Sequence, residues 1–224
     1  TQLNKTPSQN LKSLLVELLY YGEEYQKYRG YNTDNLVTSD LTDEQKKLHT
    51  TDTLEYTKVT NSKYQLNPNG TAKNEVNFKS ASMLLEGKVI PRIKIEISSS
   101  TSINDYTFRW TVNGQNIEFT YAEHPDWFTQ TNGSASDKRA YYVDCTVLKA
   151  DQFSTPFYLT VFKNGTQVSN MLQYSVESYA TGSTVKNNVK LKSLVDQMIR
   201  YGRAEKKQVQ EMTRVILNLE KVPK

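Results

Sequence analysis

Apolar positions follow two different periods along this chain. Near the start, Leu11, Leu14, Leu15, Leu18 and Leu19 recur at i, i+3, i+4, i+7 and i+8, one face of a helix. Near the end, Leu191, Leu194, Val195, Met198 and Ile199 repeat that pattern, which runs on through Val209, Met212, Ile216 and Leu219. About thirty residues of helix would span roughly 45 Å. Thr6 before Pro7 predicts the start of the first helix, Asn187 or Asn188 that of the second. Thr42-Asp43-Glu44-Gln45 is a capping box and predicts a short helix to about Leu48. From Thr51 the pattern becomes strand-like, with a core expected at Met83-Leu84-Leu85, Val89-Ile90 and the alternating Ile93, Ile95 and Ile97. Pro91 in that stretch predicts an edge or a bulge. Phe108–Val112 and Ile117–Tyr121 flank Asn113-Gly114, and Phe157–Lys163 and Thr166–Val168 flank Asn164-Gly165, the sequence signature of tight hairpins. Asn69-Gly70 marks a further turn, and Tyr141–Leu148 a further strand.

The fold class that follows is mixed, mainly β: an antiparallel, Ig-like β-sandwich flanked by N- and C-terminal α-helices. Residues 1–50 are read as a helical segment, the tail of an upstream module; residues 51–185 as the sandwich. Residues 186–224 are read as a long helix packing with the sandwich and the N-terminal helix.

The two helical patterns align without a gap and share residues at identical offsets. Leu11-Lys12-Ser13-Leu14 recurs as Leu191-Lys192-Ser193-Leu194, and Tyr21-Gly22 as Tyr201-Gly202, without a gap. Glycine within a helix costs roughly 1 kcal/mol relative to alanine. Its presence at the same place in both copies predicts a close packing contact, with Tyr21, Gly22, Tyr201 and Gly202 as the helix-packing residues.

Tyr174-Ser175-Val176-Glu177-Ser178-Tyr179, followed by Leu191-Lys192-x-Leu194 and Tyr201-Gly202, resembles a recurring β-sandwich-plus-helix module. So does Leu18-Leu19-Tyr20-Tyr21-Gly22 running into Tyr31-Asn32-Thr33-Asp34. Such modules occur in large secreted or cell-wall proteins of gut Clostridia-type bacteria. The resemblance covers the two helices and the last strands well, and residues 51–170 only loosely. It implies an extracellular or cell-surface setting, neighbouring modules of the same polypeptide as partners, and a non-catalytic structural or interaction role. It carries no catalytic residues and no cofactor. The chain departs from the pattern after Gly202, where the usual Ala-rich run into Tyr-Asn-Thr-Asp is absent, so a following module is not expected.

Composition narrows the chemistry. The 224 residues carry 28 basic and 24 acidic side chains of mixed order, a net charge of +4 that leaves no nucleic-acid footprint. No apolar run is long enough to span a bilayer, and no signal peptide is present in residues 1–7. One cysteine, Cys145, and two histidines, His49 and His124, offer neither a disulfide framework nor a multi-Cys zinc site. On its strand Cys145 is expected in the core as a small hydrophobe. Neither His-Glu-x-x-His, Gly-x-Ser-x-Gly nor a P-loop occurs. Asp34–Glu44 lacks the glycine and ligand spacing of a calcium loop, so no metal is expected. Glu123, Asp126, Asp137 and Asp144 are the carboxylates to inspect for glycoside chemistry, and a buried Lys with an Asn and an acid would allow a strand cross-link.

The candidate ligand-binding segment is Tyr121-Ala122-Glu123-His124-Pro125-Asp126-Trp127-Phe128. Aromatics on a loop held by a rigid sandwich stack on sugar faces or anchor a partner. Tyr121, His124, Trp127 and Phe128 are the residues of that reading, with a polysaccharide or a surface protein as ligand. The alternative is that Trp127 and Phe128 close the end of the sandwich.

Overall fold

The computed structural model describes residues 8–56 and 75–219. They divide into two compact units: the described residues of Thr1–Tyr56, Lys149–Ser154 and Ala180–Lys224, and those of Thr57–Leu148 and Thr155–Tyr179. The helical ends of the chain therefore belong to one unit, together with a short insert from the middle.

The second unit is the sandwich. Its strands are β1 (Asn77–Leu85), β2 (Val89–Ser98), β3 (Thr107–Val112), β4 (Gln115–Thr120), β5 (Phe128–Asn132), β6 (Lys138–Asp144), β7 (Phe157–Lys163), β8 (Thr166–Gln167) and β9 (Leu172–Tyr174). One sheet has the order β1-β2-β6-β5, the other β4-β3-β7-β8, with β9 also on β7. All named strand pairs are antiparallel. Lettered along the chain with β4 as C′, the orders are ABED and C′CFG, the arrangement of Ig-like sandwiches.

Alternation places the core. Phe108, Trp110 and Val112 point inward from β3, and Ile93, Ile95 and Ile97 from β2. Both Asn-Gly pairs have positive φ at each residue, as a type I′ turn requires. The β8–β9 edge is interrupted, and Ser169 repairs it: its buried hydroxyl accepts the Val161 N–H at 2.9 Å and donates to the Asn170 carbonyl at 2.7 Å.

Three expectations change. Pro91 lies within β2, which is a central strand; its β6 pairing begins one residue later, at Arg92↔Asp144, and the Pro91 carbonyl accepts the Cys145 N–H. Of Met83-Leu84-Leu85 only Met83 is buried. The strand expected to reach Leu148 ends at Asp144. The Asn69-Gly70 turn and the Thr6-Pro7 cap lie outside the described residues.

The helical unit holds α1 (Gln9–Arg29), α2 (Asp43–Lys46), a 3-10 turn at Ala150–Gln152, α4 (Ser183–Lys186) and α5 (Val189–Leu219); α3 (Val176–Ala180) follows β9. Ser8 caps α1, accepting the Leu11 N–H, and Gly30 ends it at φ +70°. The Thr42/Gln45 capping box forms as expected, and Asn188 caps α5 through the Leu191 N–H. The two long helices run antiparallel: Ser8 meets Gln208 and Glu211, Glu17 meets Gln197, and Glu24 and Lys27 share a groove with Lys190 and Ser193.

Candidate functional site

The loop after β4 is braced by its own polar groups. The Glu123 carboxylate accepts both the Thr120 N–H and its hydroxyl at 2.9 Å, and the Thr120 carbonyl accepts the His124 N–H. Pro125 then starts a 3-10 turn to Trp127. This holds the His124 ring flat on the Trp127 ring, with centroids 4.1 Å apart and planes 18° apart. The Phe119 ring packs against the same indole at 4.9 Å.

Trp127, His124 and Tyr121 are half-buried, whereas Phe128 is 7% exposed and belongs to the core. Phe128 meets Phe108 from the opposite sheet at 5.0 Å, edge to face, and Phe119 at 5.8 Å. Phe128, read from the sequence as a ligand contact, is thus placed in the core, because the alternation of β5 turns it inward. Tyr121 lies edge-on to Phe128 and Tyr141. What the loop offers is one indole with one face already occupied by His124.

The inspected carboxylates are largely engaged or solvated. Asp144 takes a two-pronged pair of 2.7 Å bonds from Arg92, Glu123 braces its loop, and Asp126 and Asp137 are exposed. Cys145 is fully buried, and burial pushes its thiol up to about 12. Among the described residues no lysine is buried, and no three His, Cys, Asp or Glu side chains cluster as metal ligands.

Of the four helix-packing residues, the two tyrosines meet across the α1–α5 pair, while the two glycines face other segments. Tyr21 stacks on Tyr201, with centroids 6.0 Å apart and planes 6° apart. Equivalent residues of the two repeat copies thus meet each other, and they do so again at Glu17 and Gln197, where the amide donates to the carboxylate at 2.6 Å. In an antiparallel pair this places a local twofold near Leu18-Leu19 and Met198-Ile199, a self-complementary contact of the isologous kind.

Glu17 is the residue that reading the apolar stripe misses. It is 0% exposed, while Leu18, on the expected face, is 42% exposed. Its carboxylate also accepts from the Thr50 N–H at 2.7 Å and lies 3.0 Å from His49 Nδ1, whose ring stacks on Tyr20. Burial pushes the Glu17 carboxyl up, but the bonds from His49, Thr50 and Gln197 outweigh it and hold the group below the ordinary carboxylate range. The available signal was a polar residue at the same offset in both copies.

The two repeated glycines differ. A Cβ on Gly202 would lie 2.6 Å from the Ala150 carbonyl oxygen and 2.9 Å from the Phe153 ring, so the 150–153 turn needs glycine there. A Cβ on Gly22 would meet only a Val37 methyl at 3.1 Å. Gly202→Ala is expected to cost about 1–3 kcal/mol by overpacking. Gly22→Ala is expected to be neutral or to gain up to about 1 kcal/mol from helix propensity, because Val37 is exposed and can yield. Urea denaturation of both variants checks this; equal losses would show that the two glycines serve the same contact.

No protein-family model matches the chain, and the search of curated proteins returns no match.

Proposed function

We propose that this chain is a non-catalytic structural and interaction module of a multimodular secreted or cell-surface bacterial protein. The observation that carries the reading is the pairing of the two repeat copies with each other. A helix whose face fits its own kind joins modules without a separate adaptor, and the stacked Tyr21 and Tyr201 mark where the two helices meet.

The same seam continues along α5 beyond the start of α1. Val209, Met212, Val215 and Ile216 follow at helical spacing and are 42–55% exposed. Continuity with the α1–α5 contact points to a further helix of the repeated type, carried by a neighbouring module of the same polypeptide. In the isolated chain a second copy takes its place.

Light scattering during gel filtration tests this. A concentration-dependent dimer is expected, and Met212→Glu combined with Ile216→Glu is expected to give a monomer whose melting temperature equals that of the wild type at dilutions where the wild type is also monomeric, because both side chains are exposed. A chain that stays monomeric at millimolar concentration, or a dimer indifferent to the double substitution, overturns the reading. A carbohydrate-binding role for the Trp127 loop has less support: Phe128 lies in the core, and one face of Trp127 is covered.

A further inference from the structure

Two neighbours cover α5, and both stop short of its end. On one side α1 reaches as far as Ser8, whose hydroxyl meets Gln208 and Glu211. On another the 150–153 turn lies so close at Gly202 that no Cβ fits against the Ala150 carbonyl and the Phe153 ring. Beyond them is an open groove of about 260 Å³, lined by Ser8, Gln208, Glu211, Met212, Val215 and Ile216. Met212 and Val215 continue the alternating four- and three-residue spacing of Leu194, Met198, Tyr201, Glu205 and Gln208, the core positions of a heptad. Apolar Val209 and Ile216 flank that core on one side, and polar Glu211 and Asn218 on the other.

We propose that this groove takes the same stretch of a second copy of this chain, laid antiparallel, so that the two tails pair about a twofold axis near Thr213. The inference rests on the docking role given above to the exposed stretch of α5, and adds the direction and register of its partner. Two features select the direction. The first is space. Packed helices lie about 8–10 Å apart, so a parallel copy would also run beside residues 189–208, where α1 and the 150–153 turn already sit. An antiparallel copy overlaps only the bare tail, and its own α1 falls beyond the end of this α5. The second is the pattern. Antiparallel pairing sets Met212 against Val215 of the second copy and Val209 against its Ile216, apolar on apolar, with Glu211 beside its Asn218. Parallel pairing sets the Glu211 carboxylate against Ile216 of the second copy. The antiparallel contact is isologous and closes at two copies. It is a tail-to-tail clasp, not a growing stack.

Spin-label distances on the full chain test the proposal. A nitroxide is attached at a single introduced cysteine, Thr213→Cys or Lys206→Cys, both at exposed positions; Cys145 is fully buried and takes no label. At a rise of about 1.5 Å per residue, each step away from the axis adds about 3 Å to the separation of identical residues along the helices. Labels at 213 are expected within about 20 Å of each other. Labels at 206 are expected to be offset along the helices by about 20 Å more. Equal short distances at both sites mean a parallel pair; they overturn this inference and leave the docking role standing. Adding Met212→Glu and Ile216→Glu is expected to abolish the dipolar signal at both sites, and a signal that persists places the contact elsewhere and overturns the inference too. The absence of any dipolar signal at millimolar concentration overturns the inference and the docking role together.

Discussion

Glu17→Ala is expected to cost about 3–5 kcal/mol, the scale of breaking a buried charged network by removing one partner. The substitution leaves the Thr50 N–H and His49 facing an empty site between the two helices and the 49–50 turn, and the Gln197 amide with only its bond to the carbonyl of residue 17. Glu17→Gln keeps the volume but turns an amide donor toward two other donors, and is expected to cost about 1–3 kcal/mol. Urea denaturation measures both, and a loss under about 0.5 kcal/mol in Glu17→Ala would refute the account.

The same network sets a pH dependence. The folded-state pKa of Glu17 lies below its ordinary value of 4.5. A depressed carboxyl contributes stability that is present above the unfolded value and disappears as pH falls through the folded one. Below about pH 4.5 the wild type is therefore expected to lose stability faster than Glu17→Ala, so that the difference between them narrows. Glu23, Glu75 and Glu96 are shifted the same way and cancel in that comparison.

Phe119→Ala is the corresponding test of the sandwich. Phe119 is 1% exposed, and its ring lies within 6.4 Å of Phe108, Trp110, Trp127 and Phe128. Removing it is expected to cost about 3–5 kcal/mol through lost burial and the cavity left behind. It also removes the support beneath Trp127. Since Trp110 is fully buried, iodide quenching of the folded chain reports on Trp127 and is expected to rise in the variant. A cost below about 1 kcal/mol, with quenching unchanged, would mean that the loop holds its indole without the core.

The sheets were legible where the code is local. Period-two alternation placed Phe108, Trp110 and Val112, and Ile93, Ile95 and Ile97, and Asn-Gly placed both tight turns. Pro91 misled because edge or centre is decided by which strands pair, not by the strand's own residues: β6 simply joins one residue after the proline. At the candidate loop, composition drew Trp127 and Phe128 together, yet adjacent residues at a strand start face opposite ways. The glycine pair was legible as a pair, but its chemistry was not. The 150–153 turn that needs Gly202 lies far away in sequence, and nothing in the Tyr-Gly motif distinguishes a carbonyl neighbour from a valine methyl. Glu17 was hidden for the same reason, since its partners come from two separate segments, His49-Thr50 and Gln197 on α5.

The pairing of α1 with α5 also governs the order of assembly. Glu17 and Gln197 are 180 residues apart, whereas β3 pairs with β4 across a two-residue turn. Hairpins of the second kind close in microseconds, while closing so long a loop carries a larger entropic cost. During synthesis α1 is made first and meets its partner last, after every strand has left the ribosome. Until then its apolar side is available to any helix of the same pattern. If the proposed array of such modules exists, fidelity depends on timing as well as on fit: each early helix must wait for its own late one, and the likeness of the copies makes exchange between neighbours the folding error to expect.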